Sequence, residues 1–164
     1  MAQIGDPNAL FAYKLGTVLA TERKVETMLK KLAPQVSDPQ VKQGLERHLE
    51  ETQGQIRNVE QAISTLGSDD TAHQDPVIQA VDEHAEQMLG RVDESLADAV
   101  ILGGAAHVEH HEIAMYEGLI TMAETMGQDE VVALLTENLE QEQNMLREVQ
   151  QATQKLAQQR VTAG

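Results

Sequence analysis

Three Asp-Pro pairs, Asp6-Pro7, Asp38-Pro39 and Asp75-Pro76, punctuate this chain and constrain its fold more than any other feature. Each sets a carboxylate that can accept an orphan amide just before a proline, whose missing N–H suits the first helical position. Each pair therefore predicts a helix start, and Pro34, Gly67 and Gly127 supply stops. The predicted helices are A over about 7–34, B over 38–66, a short helix over 76–88, C over about 93–126 and D over 128–158. Strands do not compete. Aromatics make up only 2% of the residues, and no stretch alternates β-branched and aromatic side chains.

The A–B and C–D connections span a few residues, so each pair closes as an antiparallel hairpin. Segment 67–92, which opens Gly67-Ser68-Asp69-Asp70-Thr71, is long enough to travel the length of a bundle. It is expected to let C start at the end where A started. Two hairpins joined by one long B–C crossover with a short extra helix give an all-α, ferritin-like four-helix bundle, here as a single domain over 1–164. About 28 residues at 1.5 Å each make helices of roughly 42 Å.

Several classes of function are excluded or disfavoured. There is no Cys, which removes disulfides, thiolate metal sites and a cysteine nucleophile. The first residues lack the basic and apolar regions of a signal peptide, and no run approaches the ~20 apolar residues of a membrane span. A cytoplasmic protein with no membrane partner is expected. A formal net charge of −15 repels phosphate backbones, so no nucleic-acid partner is expected, and it raises the local concentration of cations.

The inward faces carry the functional signal. A helix advances about 100° per residue, so an apolar stripe can be drawn and searched for polar intruders. Helix A has Phe11, Leu15, Val18, Val25, Leu29 and Leu32, with Glu22 at the centre. On helix C, Glu109 and Glu112 interrupt a stripe of Leu102, Ala105, Ile113, Leu119 and Ile120, and Tyr116 follows one turn on. On helix D, Glu142 interrupts Val131, Leu135, Met145 and Val149. Helix B has Val41, Leu45, Leu49, Ile56, Val59, Ile63 and Leu66 with Thr52 central. His48 sits on its shoulder, and Glu51 lies further round, on a small or polar row with Gly44, His48, Gln55 and Ala62.

Height along the bundle is an independent check. Glu22 and Glu51 lie about fourteen and fifteen residues from the A–B turn near 36, and Glu112 and Glu142 about fifteen from the C–D turn near 127. Each hairpin thus carries level acids at mid-helix. Burying several carboxylates unpaired costs several kcal/mol each, and Lys and Arg are scarce in these stripes. Two divalent cations neutralise such a cluster, and oxygen-rich ligation with at most one or two imidazoles suits iron, manganese or magnesium better than zinc or copper. The alternative is a solvated groove or dimer contact lined with glutamates. Agreement of four helices in face and height favours metal.

The remaining polar and soft residues are placed as follows. His107 and His111 fall opposite the helix C stripe, on the expected surface; His110 is on a flank, and His73 and His84 are in the crossover. Tyr116 is expected either as a core tyrosine with a satisfied hydroxyl or as a hydrogen-bond or redox partner of the site. Met115, Met122 and Met126, with Val108, suggest a surface that packs on another subunit.

The sequence resembles the YciE/YciF-type ferritin-like family of bacterial stress-associated proteins from about Leu10 to Leu146. The resemblance rests on Ala20-Thr21-Glu22-Arg23-Lys24, His48-Leu49-Glu50-Glu51-Thr52 and Leu139-Glu140-Gln141-Glu142. It is strongest at Val108-Glu109-His110-His111-Glu112-Ile113-Ala114-Met115-Tyr116, where the family shows a similar Glu-His-x-Glu-Ile-Ala-x-Tyr run. It implies a ferritin-like bundle, a homodimer and a dinuclear metal centre. The chain departs from the wider superfamily, whose Glu-x-x-His motifs fall on inward faces. Here His48-x-x-Glu51 is reversed and Glu109-x-x-Glu112 has a carboxylate for the histidine, so ferroxidase or catalase activity is not carried over.

Three functions are compatible with these features. The first is a di-metal protein of iron or manganese that reacts with peroxide or oxygen in an oxidative or general stress response. Its ligands would be Glu22, Glu51, Glu109, Glu112 and Glu142, with His48 a ligand or a donor behind one. The second is metal storage in a large cage. The third is a structural or interaction dimer whose metals only brace the fold.

Overall fold

Each Asp-Pro pair caps a helix. In the computed structural model, which describes residues 3–68 and 73–162 with side chains to residue 159, the Asp6 carboxylate accepts the Ala9 amide at 3.0 Å. Asp38 accepts the Gln40 and Val41 amides at 2.8 and 3.2 Å, and Asp75 accepts that of Val77 at 2.8 Å. The helices that follow are α1 (Pro7–Leu32), α2 (Pro39–Thr65) and α3 (Pro76–Leu89). Two more, α4 (Ala97–Thr125) and α5 (Asp129–Thr162), complete the chain.

The ends differ from expectation for local reasons. A 3-10 turn at Ala33–Gln35 takes over from α1, because Pro34 has no amide to continue the α ladder. Another at Glu94–Leu96, set by the Asp93 carboxylate on the Ser95 amide at 2.9 Å, delays α4 from about 93 to Ala97. Gly127 closes α4 at φ 69°, which lets the Gln128 amide reach back to the Ala123 carbonyl at 3.0 Å.

Helix α5 runs antiparallel to both α4 and α2. Thr65 at the end of α2 meets Glu130 at the start of α5, and Arg47 near the start of α2 pairs with Glu148 further along α5. Around the bundle the order is α1, α2, α5, α4. The described part of the crossover lies against α1 and α4 through α3, whose Asp82 pairs with Lys24 at 2.5 Å and whose Glu86 pairs with Lys31. Residues 69–72, within the expected opening of that crossover, lie outside the described residues.

One expectation of topology is corrected. Helix α4 starts beside the A–B turn, not at the end where α1 started. Its Asp98 carboxylate accepts the Ser37 and Asp38 amides at 2.9 and 3.0 Å. Helix α2 already brings the chain back to the level where α1 began, so a connection that travels the bundle's length must finish at the opposite end.

The core comes in two parts. One gathers Phe11, Leu15, Leu19, Val59, Leu119 and Leu135 toward the start of α1. The other gathers Val25, Met28, Leu45, Ile101, Leu102 and Met145 toward the A–B turn. Between them every long helix contributes buried polar groups: Glu22, then His48, Thr52 and Gln55, then Glu109 and Glu112, then Asn138 and Glu142.

Asp98 is the pin that holds the crossover's far end, and it is buried. Asp98→Ala leaves two amides without an acceptor and is expected to lower unfolding free energy by about 1–3 kcal/mol. Urea titration of the variant checks this, and a midpoint unchanged from the parent overturns it.

Candidate metal centre

The layer between the two half-cores forms because each helix presents its polar residues at mid-height on the face that points inward. Glu22 follows Val18 and precedes Val25 at helical spacing, so its carboxylate cannot turn to solvent without rotating α1 out of the core. Glu109 and Glu112, one turn apart on α4, and Glu142 on α5 are held in the same way. Glu22 and Glu142 have no measurable exposure, and Glu109 and Glu112 have 1% and 2%.

Five of the six expected ligand residues converge. His48, Glu109 and Glu142 bring one atom each within 4.8 Å of one another, and so do Glu22, Glu112 and Glu142. Glu142 belongs to both groups. His48 Nε2 lies 3.4 Å from Glu109 and 3.8 Å from Glu142, too long for good hydrogen bonds, so the attraction is mainly coulombic. Glu51 stands apart. It is about one-third exposed, and its carboxylate lies 3.5 Å from His48 Nδ1, on the outer side of the imidazole.

Tyr116 lies where the apolar half-core meets the acids. Its buried hydroxyl donates to Glu22 Oε1 and accepts from Asn138 Nδ2 at 3.0 Å. Asn138 also donates to the Gln55 carbonyl at 3.3 Å and accepts from Asn58 at 2.8 Å. Tyr116 is therefore a satisfied core tyrosine and a partner of the cluster at once.

The acids are not satisfied by the protein. Both carboxylate oxygens of Glu112 and of Glu142, and Oε2 of Glu22 and of Glu109, are buried without a hydrogen-bond partner. Native interiors rarely leave such atoms unpaired. Oxygen donors with one imidazole, aimed at each other across a few ångströms, fit a hard or borderline divalent cation. The buried His and Glu groups can hold a metal ion.

Burial pushes the Glu22 carboxyl up to about 7, against the pull of the Tyr116 hydrogen bond and of His48. Burial and then its acidic neighbours Glu22, Glu142 and Glu109 hold Glu112 well above the usual carboxylate range. Burial holds Glu142 there too, although His48 opposes it. For His48, burial disfavours the charge, but Glu109, Glu51 and Glu142 outweigh it and raise the imidazole well above its ordinary value.

Other expectations need correction. His111 is not a surface residue. Its Nε2 meets the Asp75 carboxylate at 2.6 Å, and Thr21 donates to the same oxygen at 2.8 Å. Residues adjacent to Glu22 and Glu112 are thereby clamped to the start of α3 from behind. His107 and His110 are exposed. Val108 is buried in its own chain's core and offers no contact surface, and Met115, Met122 and Met126 are half-buried against the Phe11 half-core.

The inward face of α2 is also rotated from the stripe of its largest apolar residues. His48, Gln55 and Ala62 are fully buried, whereas Leu49, Ile56 and Leu66 are only half-buried. Gln55 belongs to the small or polar row that the sequence places beside the α2 stripe, whereas Asn138 escaped the sequence reading. Asn138 had a signal, one turn before Glu142 on the stripe from Val131 to Val149.

With that geometry in hand, comparison with known proteins is informative. A profile of the family described as domain of unknown function DUF892 matches residues 6–162. Protein YciF of Escherichia coli K12 is 31% identical over 135 residues, 81% of this chain and 81% of that protein. The solved structure of the E. coli stress protein YciF superposes with a TM-score of 0.89 at 26% identity, covering 94% of this chain and 99% of that one. YcfI from Rhodopseudomonas palustris gives 0.87 at 33% identity, covering 90% and 95%. The bundle is ferritin-like. No helix among the described residues is long and apolar enough to cross a membrane.

The raised carboxyls set a pH dependence for the metal-free protein. Between about 4.5 and 7 the unfolded chain releases the Glu22 proton while the folded chain keeps it, so stability falls as pH rises. Glu112 and Glu142, also raised by burial, add to the loss in the same direction. His48 acts in the same direction, since its contribution is present below 6.5 and lost as pH passes its raised value. Thermal melts in chelator are expected to show a midpoint that falls steadily from pH 5 to 8, with Glu22→Gln flattening the slope. A midpoint that rises over this range contradicts the burial of these acids.

Proposed function

The chain belongs to the DUF892 family, of YciE/YciF type, and we propose that it is a dinuclear iron or manganese carboxylate protein that reacts with peroxide or oxygen under stress. One observation carries the reading: Glu112 and Glu142 bring both carboxylate oxygens into the dry layer with no protein partner. Metal ions held by His48 and the clustered glutamates would supply one-electron chemistry toward an oxidant.

The residues divide the work. Glu142 belongs to both groups and would help hold metal in each. His48 directs Nε2 at Glu109 and Glu142 while Glu51 faces Nδ1, an arrangement that fixes the tautomer and presents a lone pair inward. Tyr116 holds one oxygen of Glu22 and leaves the other for a ligand bond, and Asn138 fixes the Tyr116 hydroxyl. The two half-cores exclude water from above and below. Glu51, by far the most exposed of the six, is placed to hand cations inward. The stress assignment draws on the E. coli relative, described as a stress protein.

A bracing role is the second reading, supported by the division of the core. A cluster neutralised by cations would tie two separate apolar halves together without any turnover. The unit proposed for either reading is a homodimer. A particle many times the chain mass on size exclusion would instead point to storage.

Elemental analysis of protein purified without added metal tests the centre, with about two ions of iron or manganese per chain expected. Glu142→Ala should abolish most of the metal, and Glu109→Ala should leave about one ion. Glu51→Gln should slow loading with little effect on final stoichiometry. Unchanged metal content in Glu142→Ala overturns the ligand set. Peroxide or oxygen consumption by loaded protein separates the redox reading from bracing, and its absence with both metals favours bracing.

A further inference from the structure

A narrow cavity of about 30 Å³ lies on the A–B-turn side of the acid layer, walled by residues of α1, α2, α3 and α4. Among the described residues on its wall, only Glu109 carries a charge; the rest are aliphatic, methionine, alanine or glycine. Val25, Met28 and Val108 are buried along it, whereas Gly104 on the same wall is half-buried and reaches solvent. Ala85 of α3 sits over that glycine, and a Cβ added to Gly104 would meet it at 3.7 Å. Glu109, on that wall, belongs to the acid cluster, and its Oε2 has no hydrogen-bond partner.

The wall dictates what can use the cavity. A bound water needs two to four polar partners, and this wall offers one carboxylate. A strongly hydrated guest, whether cation, anion or peroxide, would lose most of its hydrogen bonds, with at most one carboxylate to replace them. Dioxygen is small, uncharged and weakly solvated, so it loses almost nothing. Cations have a separate polar approach at Glu51, which is about one-third exposed and lies beside buried His48.

We infer that this cavity is an apolar access channel that admits dioxygen, in preference to peroxide, to the Glu109 side of the acid cluster. The role of the channel rests on the metal-centre reading. Its occupancy by dioxygen does not, and the two can fail separately.

The test begins with metal-free full-length protein in chelator under dioxygen pressure, followed by NMR. Methyl groups of Val25, Met28 and Val108 should show paramagnetic relaxation several-fold greater than the equally buried methyls of Val18, Val59 and Leu135 in the other half-core. Gly104→Leu, confirmed folded by its melting curve, should bring the excess down to the level of those reference methyls. No excess in the parent protein overturns the channel, whether or not the variant folds. In iron-loaded protein, Gly104→Leu should slow oxidation by dioxygen about tenfold or more, with peroxide oxidation and metal content unchanged. Equal slowing with both oxidants also overturns it. A parent that binds no metal yet shows the dioxygen excess removes the metal centre and leaves the channel standing.

Discussion

A carboxylate removed from water must be protonated, paired or bound to a cation, and four glutamates share one dry layer of this bundle. The rest of the structure follows from that crowding. Two apolar half-cores sit on either side of the layer, and neither reaches across it. Where the halves meet, the groups that touch both are amphipathic: Tyr116 offers a ring to one side and a hydroxyl to the other. The Asn58–Asn138–Tyr116–Glu22 chain then orders one face of the layer, while the facing oxygens of Glu112 and Glu142 have no protein partner. Protons reduce the repulsion in the metal-free state, and divalent cations would do so more completely.

The sequence revealed most of this because an acid in an apolar stripe is a local anomaly. Glu22, Glu109, Glu112 and Glu142 each break a clean helical pattern, and Glu22, Glu112 and Glu142 lie about fourteen or fifteen residues from their turns, which places them at mid-helix. Helix α2 was harder to read. Its larger apolar residues, Leu49 and Ile56, cover the flanks against neighbouring helices, while smaller or polar His48, Gln55 and Ala62 face the middle. A stripe drawn through the largest residues is rotated away from the true inward face, which lies toward the small and polar row of His48, Gln55 and Ala62, with Glu51 at its solvent edge. Asn138 could have been found by the same spacing rule that found Glu142. The Asp75–His111–Thr21 contact could not, because it depends on where a long crossover docks. The direction of α4 follows from counting traverses: α2 returns the chain to the level where α1 began, and the crossover carries it across once more.

The crossover is more than a connection. Asp75 anchors its helix to α1 and α4 behind the site, Asp82 and Glu86 tie it to α1, and Asp98 fixes its end to the first turn. Helices α1 and α4, which carry three of the clustered glutamates, are thus held against each other from outside by α3. Ala85 of that same helix closes over Gly104, so the element that steadies the acids also roofs the apolar cavity beside them.

The position of the acid layer at the waist of the bundle governs time as well as energy. Helices fray from their tips, and their central turns open only when whole segments come apart. Anything held at the waist is therefore shielded from fast local breathing. Its residence is set by rare, large-scale openings, so exchange with the medium would be slow even where equilibrium affinity is modest.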